Sequence, residues 1–176
     1  IHVSYVPIPN HIGEPKTMPT QLSIRTVMSM GILPEFLVLR SEALIDKRRK
    51  YLLGLKTSVE GDNVIMAQDL GTIYELPVVF AKQEFDRKVL KYFNLPLRTP
   101  KLGEWNKMVK KIKSEKKRKI NIVIAGKYIS TGDYELLDSY ASLIEAIQHA
   151  CWHLNTELNL RFVNTEDIEK EGVKLI

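Results

Sequence analysis

The sequence predicts an α/β protein whose strands form parallel sheets. Over residues 1–100, short runs of strand-forming residues alternate with amphipathic segments of helical period. After a proline-containing stretch and a run of lysines, the same strand–helix–strand alternation begins again near residue 119. Alternation of this kind is typical of parallel sheets covered by helices. We therefore expect two α/β regions joined by a basic connection.

The first strand and helix are predicted within residues 1–31. Val3, Tyr5 and Val6 favour a strand over Ile1–Pro7, and a loop rich in proline follows over Ile8–Pro19. Thr20 is then the expected N-cap of a helix that runs to about Met30 and ends at Gly31. The apolar residues available for the inner face of this helix are Leu22, Val27, Met28 and Met30.

The rest of the first region continues the alternation. The expected elements are a strand over Glu35–Arg40, a helix over Asp46–Leu55, a strand over Val64–Met66 and a helix from Pro77 to Phe93 that breaks near Gln83. Ligands of parallel sheets bind at the carboxyl ends of the strands. The loops over residues 8–19, 41–46 and 67–72 lie at those ends, so we expect them to share one site.

The second region follows a domain exit at Asn94–Pro100. We predict an amphipathic basic helix over Leu102–Lys113 and a charged linker over Ser114–Arg118. A strand over Ile120–Ala125 then runs into Gly126-Lys127-Tyr128. The remaining elements are a helix from Glu135 to Leu154 whose apolar stripe includes Leu136, a strand over Leu158–Val163 and a short helix capped by Thr165.

Composition excludes several classes of protein. With 176 residues of which 44% are hydrophobic, the chain can bury a core and does not have the composition of a disordered chain. No apolar run reaches the roughly 20 residues that span a bilayer, so we expect no membrane association. Cys151 is the single cysteine, which rules out a disulfide within the chain and suits a reducing cytoplasm. Both ends have the character of cut positions, and we expect a longer protein.

One loop offers a phosphate cradle. Lys16, Thr17, Thr20 and Gln21 lie where a loop enters a helix N-terminus, whose exposed N–H groups and partial positive charge favour anions. The alternative from residue types alone is an ordinary capped helix beside an exposed lysine. Lys50 lies in a basic run and is open to the same alternative of a surface charge. Asp69 could accept a hydrogen bond from a ribose or a base, or could cap the turn to Gly71.

Other patterns are weaker. The lysines between Lys107 and Lys119 contribute to the net charge of +5, but they lack the interleaved aromatic residues that stack bases, so we expect no nucleic-acid binding. Cys151 falls on an apolar helix stripe and is expected to be a buried core residue rather than a nucleophile. His149 and His153 have the spacing of two zinc ligands, but no third ligand is near in sequence, and no metal site is expected.

Several stretches together resemble the CTP synthase family. Gly-Glu-Pro-Lys-Thr-Met-Pro-Thr-Gln, residues 13–21, is similar to that family's Gly-Glu-x-Lys-Thr-Lys-Pro-Thr-Gln signature. Further matching segments follow in the family's order over essentially the whole chain. They are Gly31-Ile32 with Pro34, Arg40-Ser41, Ile73-Tyr74 with Pro77, Leu102 with Trp105, Gly126-Lys127-Tyr128, and Asp138-Ser139-Tyr140 with Ser142, Glu145, Ala146 and His149.

The resemblance implies a fold and an activity. It implies that residues 1–100 are the C-terminal part of an amidoligase domain similar to P-loop synthetases. Residues 101–118 would be an interdomain helix and linker, and residues 119–176 the first βαβ of a flavodoxin-like class I glutaminase domain. The family uses ATP to phosphorylate O4 of UTP, and ammonia from glutamine then displaces that phosphate to give CTP. Its P-loop, magnesium carboxylates and glutaminase triad match nothing in this chain, so no catalytic residue is expected here.

The resemblance also assigns ligands. It places Lys16, Thr17, Met18, Pro19, Thr20, Gln21 and Lys50 in the site of UTP and of the feedback inhibitor CTP. It places Gln68, Asp69 and Leu70 against ATP, which is used with Mg²⁺, and implies glutamine as substrate, GTP as an activator and a homotetramer. Met18 stands where the family usually has a second lysine, and Gly54 where a phenylalanine is common. The alternative function is a stand-alone nucleotide-binding regulatory module.

Overall fold

The computed structural model describes residues 1–116, 118–127, 129–131, 134–135 and 137–175. The chain divides into two compact units, residues 1–106 and residues 107–176. Each unit contains a parallel sheet with helices, so the predicted α/β class with parallel sheets is confirmed. Within the described ranges, no helix has both the length and the apolar character needed to cross a bilayer.

The first unit is built on a parallel sheet of three strands. These are β1 (His2–Tyr5), β2 (Leu37–Ser41) and β3 (Val64–Gln68), in the spatial order β1-β2-β3. His2 is in register with Leu37, and Leu37 with Val64, so all three strands begin at one edge. Because β2 has a neighbour on each side, four of its five residues are buried, and the first three are apolar.

Helix α1 (Met18–Ser29) begins earlier than the sequence predicts. Its N-cap is Thr17, and the prediction that Thr20 caps it is wrong. Thr20 lies inside the helix and is fully buried, because its hydroxyl accepts a hydrogen bond from Ser4 Oγ at 3.0 Å and donates to the carbonyl of Tyr5 at 3.3 Å. The tertiary contact with β1 therefore takes the hydroxyl that a cap would have used. Gly31 has a φ of +82° just after the C-cap Met30, and ends the helix as predicted.

The inner face of α1 also differs from the prediction. Its buried residues are Thr20, Gln21 and Ile24, whereas Leu22 is 55% and Met30 71% exposed. Helix α2 (Lys47–Thr57) covers the same face of the sheet, and Asp46 is its N-cap, with a carboxylate that accepts from the amide of Arg49 at 2.9 Å. The core beneath both helices consists of Val6, Ile24, Leu37, Leu39, Ile45, Leu53, Val59, Val64 and Met66, with Met28 packed against it.

The opposite face of the sheet carries two short helices. Helices α3 (Leu76–Lys82) and α4 (Phe85–Tyr92) replace the single helix from Pro77, and they are separated at Gln83, where the sequence predicts a break. The smaller core on this face contains Val38, Ile65 and Ala67, with Leu76, Phe80 and Phe85 packed against it. The side-chain amide of Gln83 bonds both backbone groups of Met66 at 2.8 Å, and thus occupies the outer edge of β3.

Helix α5 (Gly103–Lys113) follows a segment without regular secondary structure at residues 95–102. In the first unit, Trp105 at its start donates from Nε1 to the carbonyl of Tyr74 at 2.7 Å. The indole lies near the Tyr74 ring, with 6.2 Å between ring centroids. Farther along the helix, Val109 is buried. The predicted helix over Leu102–Lys113 is thus confirmed to within one residue.

The second unit contains a parallel pair of long strands. Strand β4 (Arg118–Gly126) pairs with β7 (Thr156–Asn164), and α6 (Ala141–His153) lies between them in sequence. Two-residue strands β5 (Ser130–Thr131) and β6 (Tyr134–Glu135) pair with each other, and Leu137–Tyr140 forms a 3-10 turn. The predicted helix from Glu135 therefore begins only at Ala141. Lys117, Tyr128 and Leu136, which the sequence assigned to the linker, the strand end and the helix stripe, lie outside the described residues.

A short helix follows β7, and a 3-10 turn at Val173–Leu175 comes after it. Helix α7 (Thr165–Glu171) is capped by Asn164, whose side chain accepts from the amide of Glu166 at 3.2 Å, so the prediction that Thr165 is the cap is wrong by one residue. Asparagine is as good a cap as threonine, and the end of β7 places Asn164 in the extended conformation that a cap requires. Glu166 and Asp167 lie in the first turn, as the sequence predicts.

Candidate functional site

A cavity of about 280 Å³ opens in the first unit between the start of α1 and the exposed side of α2. The loop after β1 contributes its last residues to one wall, and α2 contributes a row of side chains to the other. The lining residues are Glu14, Pro15, Lys16, Thr17, Met18, Gln21, Arg49, Leu52, Leu53 and Lys56. We call this cavity the Lys16 pocket. It holds three cationic side chains, Lys16, Arg49 and Lys56, and is therefore suited to an anion.

The loop is folded so that it delivers Lys16 to the pocket. The amide of Gly13 donates to the carbonyl of Pro9 at 2.9 Å, and the φ of +65° at Gly13 is one that glycine adopts without strain. The amide of Lys16 donates to the carbonyl of Pro7 at 2.9 Å, which fixes the backbone immediately before the helix. These bonds set the position from which the Lys16 side chain reaches the cavity.

The start of α1 supplies polar groups beside Lys16. The side chain of Gln21 is buried, and its Nε2 donates to Thr17 Oγ1 at 3.1 Å. The Thr17 hydroxyl makes no capping bond to the first amides of α1. The start of this helix, where Thr17 and Met18 line the pocket, therefore has no side-chain cap, and the positive end of the helix dipole lies beside the cavity.

Four charged side chains form a network at the pocket wall. Glu14 bonds Lys16 at 2.9 Å through one carboxylate oxygen and Arg49 at 2.7 Å through the other. Arg49 also bonds Asp46 at 2.5 Å. The hydrogen bonds from Lys16 and Arg49 lower the pKa of the Glu14 carboxyl, and the Arg49 side chain lowers that of Asp46. The same two carboxylates, Asp46 above all, raise the pKa of Arg49. Glu14, Asp46 and Arg49 are therefore charged at neutral pH.

The structure brings together only part of the residues assigned to UTP and CTP. Lys16, Thr17, Met18 and Gln21 line the pocket, whereas Pro19 is outside it and Thr20 is buried against β1. Lys50 does not line it either. The α2 residues that do are Arg49, Leu52, Leu53 and Lys56, of which none was singled out from the sequence. Their i, i+3, i+4, i+7 spacing marks one helix face and could have identified them.

Lys50 lies in different surroundings. Its ammonium is half-buried, and this burial lowers its pKa, with a further lowering by Lys88 that Asp62 opposes. Lys88 and Asp62 both line a second cavity, of about 330 Å³, near Phe36 and Asn63, which directly precede β2 and β3. We call this the amino-end cavity. Lys50 is therefore associated with the edge of the sheet where the strands begin, and the Lys16 pocket with the edge where β1 ends.

Gln68, Asp69 and Leu70, which the sequence assigned to ATP, follow the carboxyl end of β3. The amide of Asp69 donates to the carbonyl of Ser41 at 2.8 Å, and its carboxylate pairs with Arg40 at 3.3 Å. Along β2, Arg40 alternates with Leu39 and shares the face of Val38, the face that α3 and α4 cover. The Asp69–Arg40 pair and the Lys16 pocket are thus on opposite faces of the sheet.

The loops after β1 and β2 also meet at this edge. Ser41 Oγ donates to the carbonyl of Val6 at 2.9 Å, and the Tyr5 hydroxyl donates to Glu42 at 3.2 Å. Partial burial raises the pKa of the Tyr5 hydroxyl, and its hydrogen bond to Glu42 raises it further. The three loops therefore come together at one edge, as predicted, but their polar groups separate into two clusters.

Gly54 has a packing role that the sequence alone did not suggest. A Cβ at this position would come within 2.8 Å of the carbonyl oxygen of Val59 and 3.2 Å of the Cα of Gly61. No larger side chain fits against this backbone. The position to which the resemblance assigns a phenylalanine is therefore closed here, and Leu52 is an apolar residue of α2 that reaches the pocket.

Two sequence motifs of the second unit, Gly126-Lys127 and Asp138-Ser139-Tyr140, are in contact through Tyr140. The Tyr140 hydroxyl donates to the carbonyl of Lys127 at 2.7 Å, and its ring lies over Gly126, where any side chain would collide with it. Cys151 is buried, as predicted. His149 contacts Glu145 at 3.4 Å and the ring of Trp152. Within the described ranges, no three His, Cys, Asp or Glu side chains come together in a way that could hold a metal ion.

Comparison with known proteins identifies the family of this chain. Residues 1–95, more than half of the chain, match the family model described as CTP synthase N-terminus. The chain is 39% identical over 174 residues to a CTP synthase of Wolinella succinogenes, with 99% of this chain and 30% of that protein covered. It is 38% identical over 176 residues to a CTP synthase of Thermococcus gammatolerans, with 100% of this chain and 32% of that protein covered. The chain thus spans about a third of the length of these relatives, and the resemblance found in the sequence is confirmed. The chain belongs to the CTP synthase family.

Proposed function

We propose that this chain is part of an enzyme that aminates UTP to CTP with ATP and with ammonia from glutamine, and that the Lys16 pocket binds the triphosphate of UTP and of CTP. The observation that carries the proposal is the convergence of Lys16, Arg49 and Lys56 on one cavity beside the start of α1. A triphosphate needs several cations and N–H donors placed against it, and both are present here. A stand-alone regulatory module is not favoured, because the relatives that match the whole chain are named CTP synthases.

The location of the two residue clusters on opposite faces of the sheet supports separate sites for the two nucleotides. Lys16, Thr17, Met18, Pro19, Thr20 and Gln21 form or support the UTP and CTP site. Gln68, Asp69 and Leu70 contribute to ATP binding on the other face, where the Asp69 carboxylate offers an acceptor held by Arg40. Mg²⁺ would accompany ATP through ligands elsewhere in the protein. Lys50, which lies outside the Lys16 pocket of its own chain, would reach the nucleotide bound to a neighbouring subunit of a tetramer.

The finer assignment of the fold is part of the same proposal. Residues 1–100 would complete a synthetase domain of the P-loop type, and residues 119–176 would open a flavodoxin-like glutaminase domain that hydrolyses glutamine and responds to GTP. The parallel pairing of β1-β2-β3 and of β4 with β7 supports both assignments. The single buried thiol supports a cytoplasmic enzyme.

Substitution of Lys16 tests the nucleotide site. In the complete enzyme, Lys16→Ala should weaken UTP binding and CTP inhibition together by about ten- to a hundredfold, because one charge-assisted contact to the shared triphosphate is lost. UTP saturation and CTP inhibition curves measure this. Lys82→Ala, which removes an exposed lysine of α3, is the matched control. Glutamine hydrolysis without nucleotide should be unchanged, and wild-type values for both UTP and CTP would refute the assignment.

Asp69 provides a separate test of the ATP side. In the complete enzyme, Asp69→Ala should raise the ATP concentration needed for half-maximal rate and leave UTP saturation unchanged, since the carboxylate lies on the face away from the Lys16 pocket. Initial rates with each nucleotide varied in turn distinguish the two. A change confined to UTP would contradict the separation of the nucleotides between faces.

A further inference from the structure

The Lys16 pocket already contains an anion, the carboxylate of Glu14. This carboxylate lies between the two cations of the loop and of α2, at 2.9 Å from Lys16 Nζ and 2.7 Å from Arg49. Each of its oxygens takes one partner, which is the arrangement that a bridging phosphate oxygen pair would adopt between the same two cations. Glu14 itself lines the cavity, so a ligand bound at Lys16 lies close to this carboxylate.

The charges of the pocket wall largely cancel. Lys16 and Arg49 are positive, and Glu14 and Asp46, which bond them, are negative. Lys56 adds one further positive charge to the lining. A triphosphate that binds Lys16 and Arg49 must therefore take them from Glu14, or else lie beside it and suffer repulsion between like charges.

The exposure of the network permits such an exchange. The side chains of Glu14, Lys16 and Arg49 are between 39% and 46% exposed, so they are neither sealed from solvent nor fixed by burial. Ion pairs with this exposure are individually weak and exchange partners readily. Arg49 keeps Asp46 as a second carboxylate partner and would remain oriented at the pocket if Glu14 withdrew.

We propose that Glu14 is an internal counter-ion of the triphosphate site, which occupies the anion position while the pocket is empty and is displaced when a nucleotide binds. The proposal rests on the proposed function of the Lys16 pocket. Glu14 then holds Lys16 and Arg49 in place between turnovers and limits affinity. It also disfavours weakly charged ligands, because an anion must make enough contacts to replace both of its ion pairs.

The test is a substitution in the pocket wall that should strengthen nucleotide binding rather than weaken it. Glu14→Gln keeps the size of the side chain and removes its charge. In the complete enzyme it should tighten binding of UTP, CTP and inorganic tripolyphosphate by about three- to tenfold, measured by calorimetry at low salt. The KM for UTP should fall, and CTP should inhibit at a lower concentration. Glu84→Gln, which removes the same charge from an exposed ion pair with Arg87, is the matched control and should change nothing.

The outcomes separate this inference from the function on which it rests. If Glu14→Gln weakens binding or leaves it unchanged while Lys16→Ala weakens it, Glu14 is not a displaced counter-ion and the inference is wrong, but the site stands. If Lys16→Ala has no effect, the site itself is wrong and the inference fails with it. Glu14→Ala, which also removes the charge, gives the same comparison if the glutamine variant does not form a stable protein.

Discussion

Arg49 and Lys50 are neighbours on α2 and carry the same charge, yet they lie in opposite electrostatic surroundings. Arg49 reaches the Lys16 pocket and bonds two carboxylates, Glu14 and Asp46. Lys50 is half-buried near the amino-end cavity, where burial and Lys88 both disfavour its charge. Successive residues of an α-helix are rotated by about 100° about its axis, so the side chains of Arg49 and Lys50 point in different directions. A basic run in a sequence therefore does not define one basic surface.

The contrast between Arg49 and Lys50 also illustrates two roles that a cationic side chain can have. A cation that bonds carboxylates of its own chain stabilises the fold, and it becomes a ligand only if a stronger anion replaces those partners. A cation that is desolvated and faces another cation destabilises the isolated chain, and such residues are frequent at functional sites. By this criterion Lys50 is a stronger candidate for a functional role than its exposed neighbours Lys47 and Arg48.

Among the tests of this comparison, the largest effect on helix α2 is expected from removal of Arg49. Arg49→Met keeps much of the apolar stem but leaves Glu14 without one partner and Asp46 without its side-chain partner. The amides of α2 should then exchange with solvent about three- to tenfold faster in the complete protein without nucleotide. Hydrogen–deuterium exchange of peptides covering residues 47–57 measures this, with Arg48→Met, at an exposed neighbouring position, as the control. Unchanged exchange would show that the network contributes nothing to the helix.

A smaller effect of opposite sign is expected at the next position. Because the pKa of Lys50 is lowered, the folded state holds this proton less tightly than the unfolded chain, so stability rises with pH as the ammonium titrates below its ordinary pKa of 10.5. At neutral pH the buried charge is a cost that Lys50→Met removes. Exchange of the same α2 peptides should slow by about two- to threefold. Faster exchange would mean that Lys50 has a stabilising partner.

The smallest effect is the acid response of the Glu14 network. The pKa values of Glu14 and Asp46 are lowered by their cationic partners, so the stability that they contribute is complete above their ordinary values of 4.5 and 3.8. It is lost as the pH falls through the lower folded values. Protection of α2, corrected for the intrinsic pH dependence of exchange, should decline in that acid range, and less so in Glu14→Gln. Equal declines in both proteins would contradict a contribution from Glu14.

The sequence predicts the elements of the first unit better than its polar contacts. Strand propensity and the spacing of proline and glycine place β1, β2, β3 and the break at Gln83 correctly, because these depend on local pattern. Thr20 was assigned as a cap for the same local reason, but its hydroxyl bonds Ser4 and Tyr5 of β1. That contact depends on how α1 packs against a strand some 16 residues earlier in the chain, which no local pattern contains.

The candidate site shows the same division. Lys16, Thr17 and Gln21 were found because the loop and the helix start adjoin in sequence. Arg49 and Lys56 were missed because the inward face of a basic helix depends on its rotation about its own axis, which only the packed structure fixes. Glu14 was passed over for a different reason: an acidic residue in a signature for a phosphate site runs against the chemistry expected of that site.

The two hydrogen bonds between the Gln83 side chain and strand β3 limit where a further strand can pair with the sheet. A strand presents a repeating row of donors and acceptors, and another strand can add to any open row. At Met66 that row is already taken, because the Gln83 amide satisfies both the N–H and the carbonyl. A further strand could pair there only if the Gln83 side chain, in the turn between α3 and α4, first released its two hydrogen bonds to Met66. Lateral growth of this sheet, whether by other segments of the protein or by aggregation, is therefore directed to the side of β1.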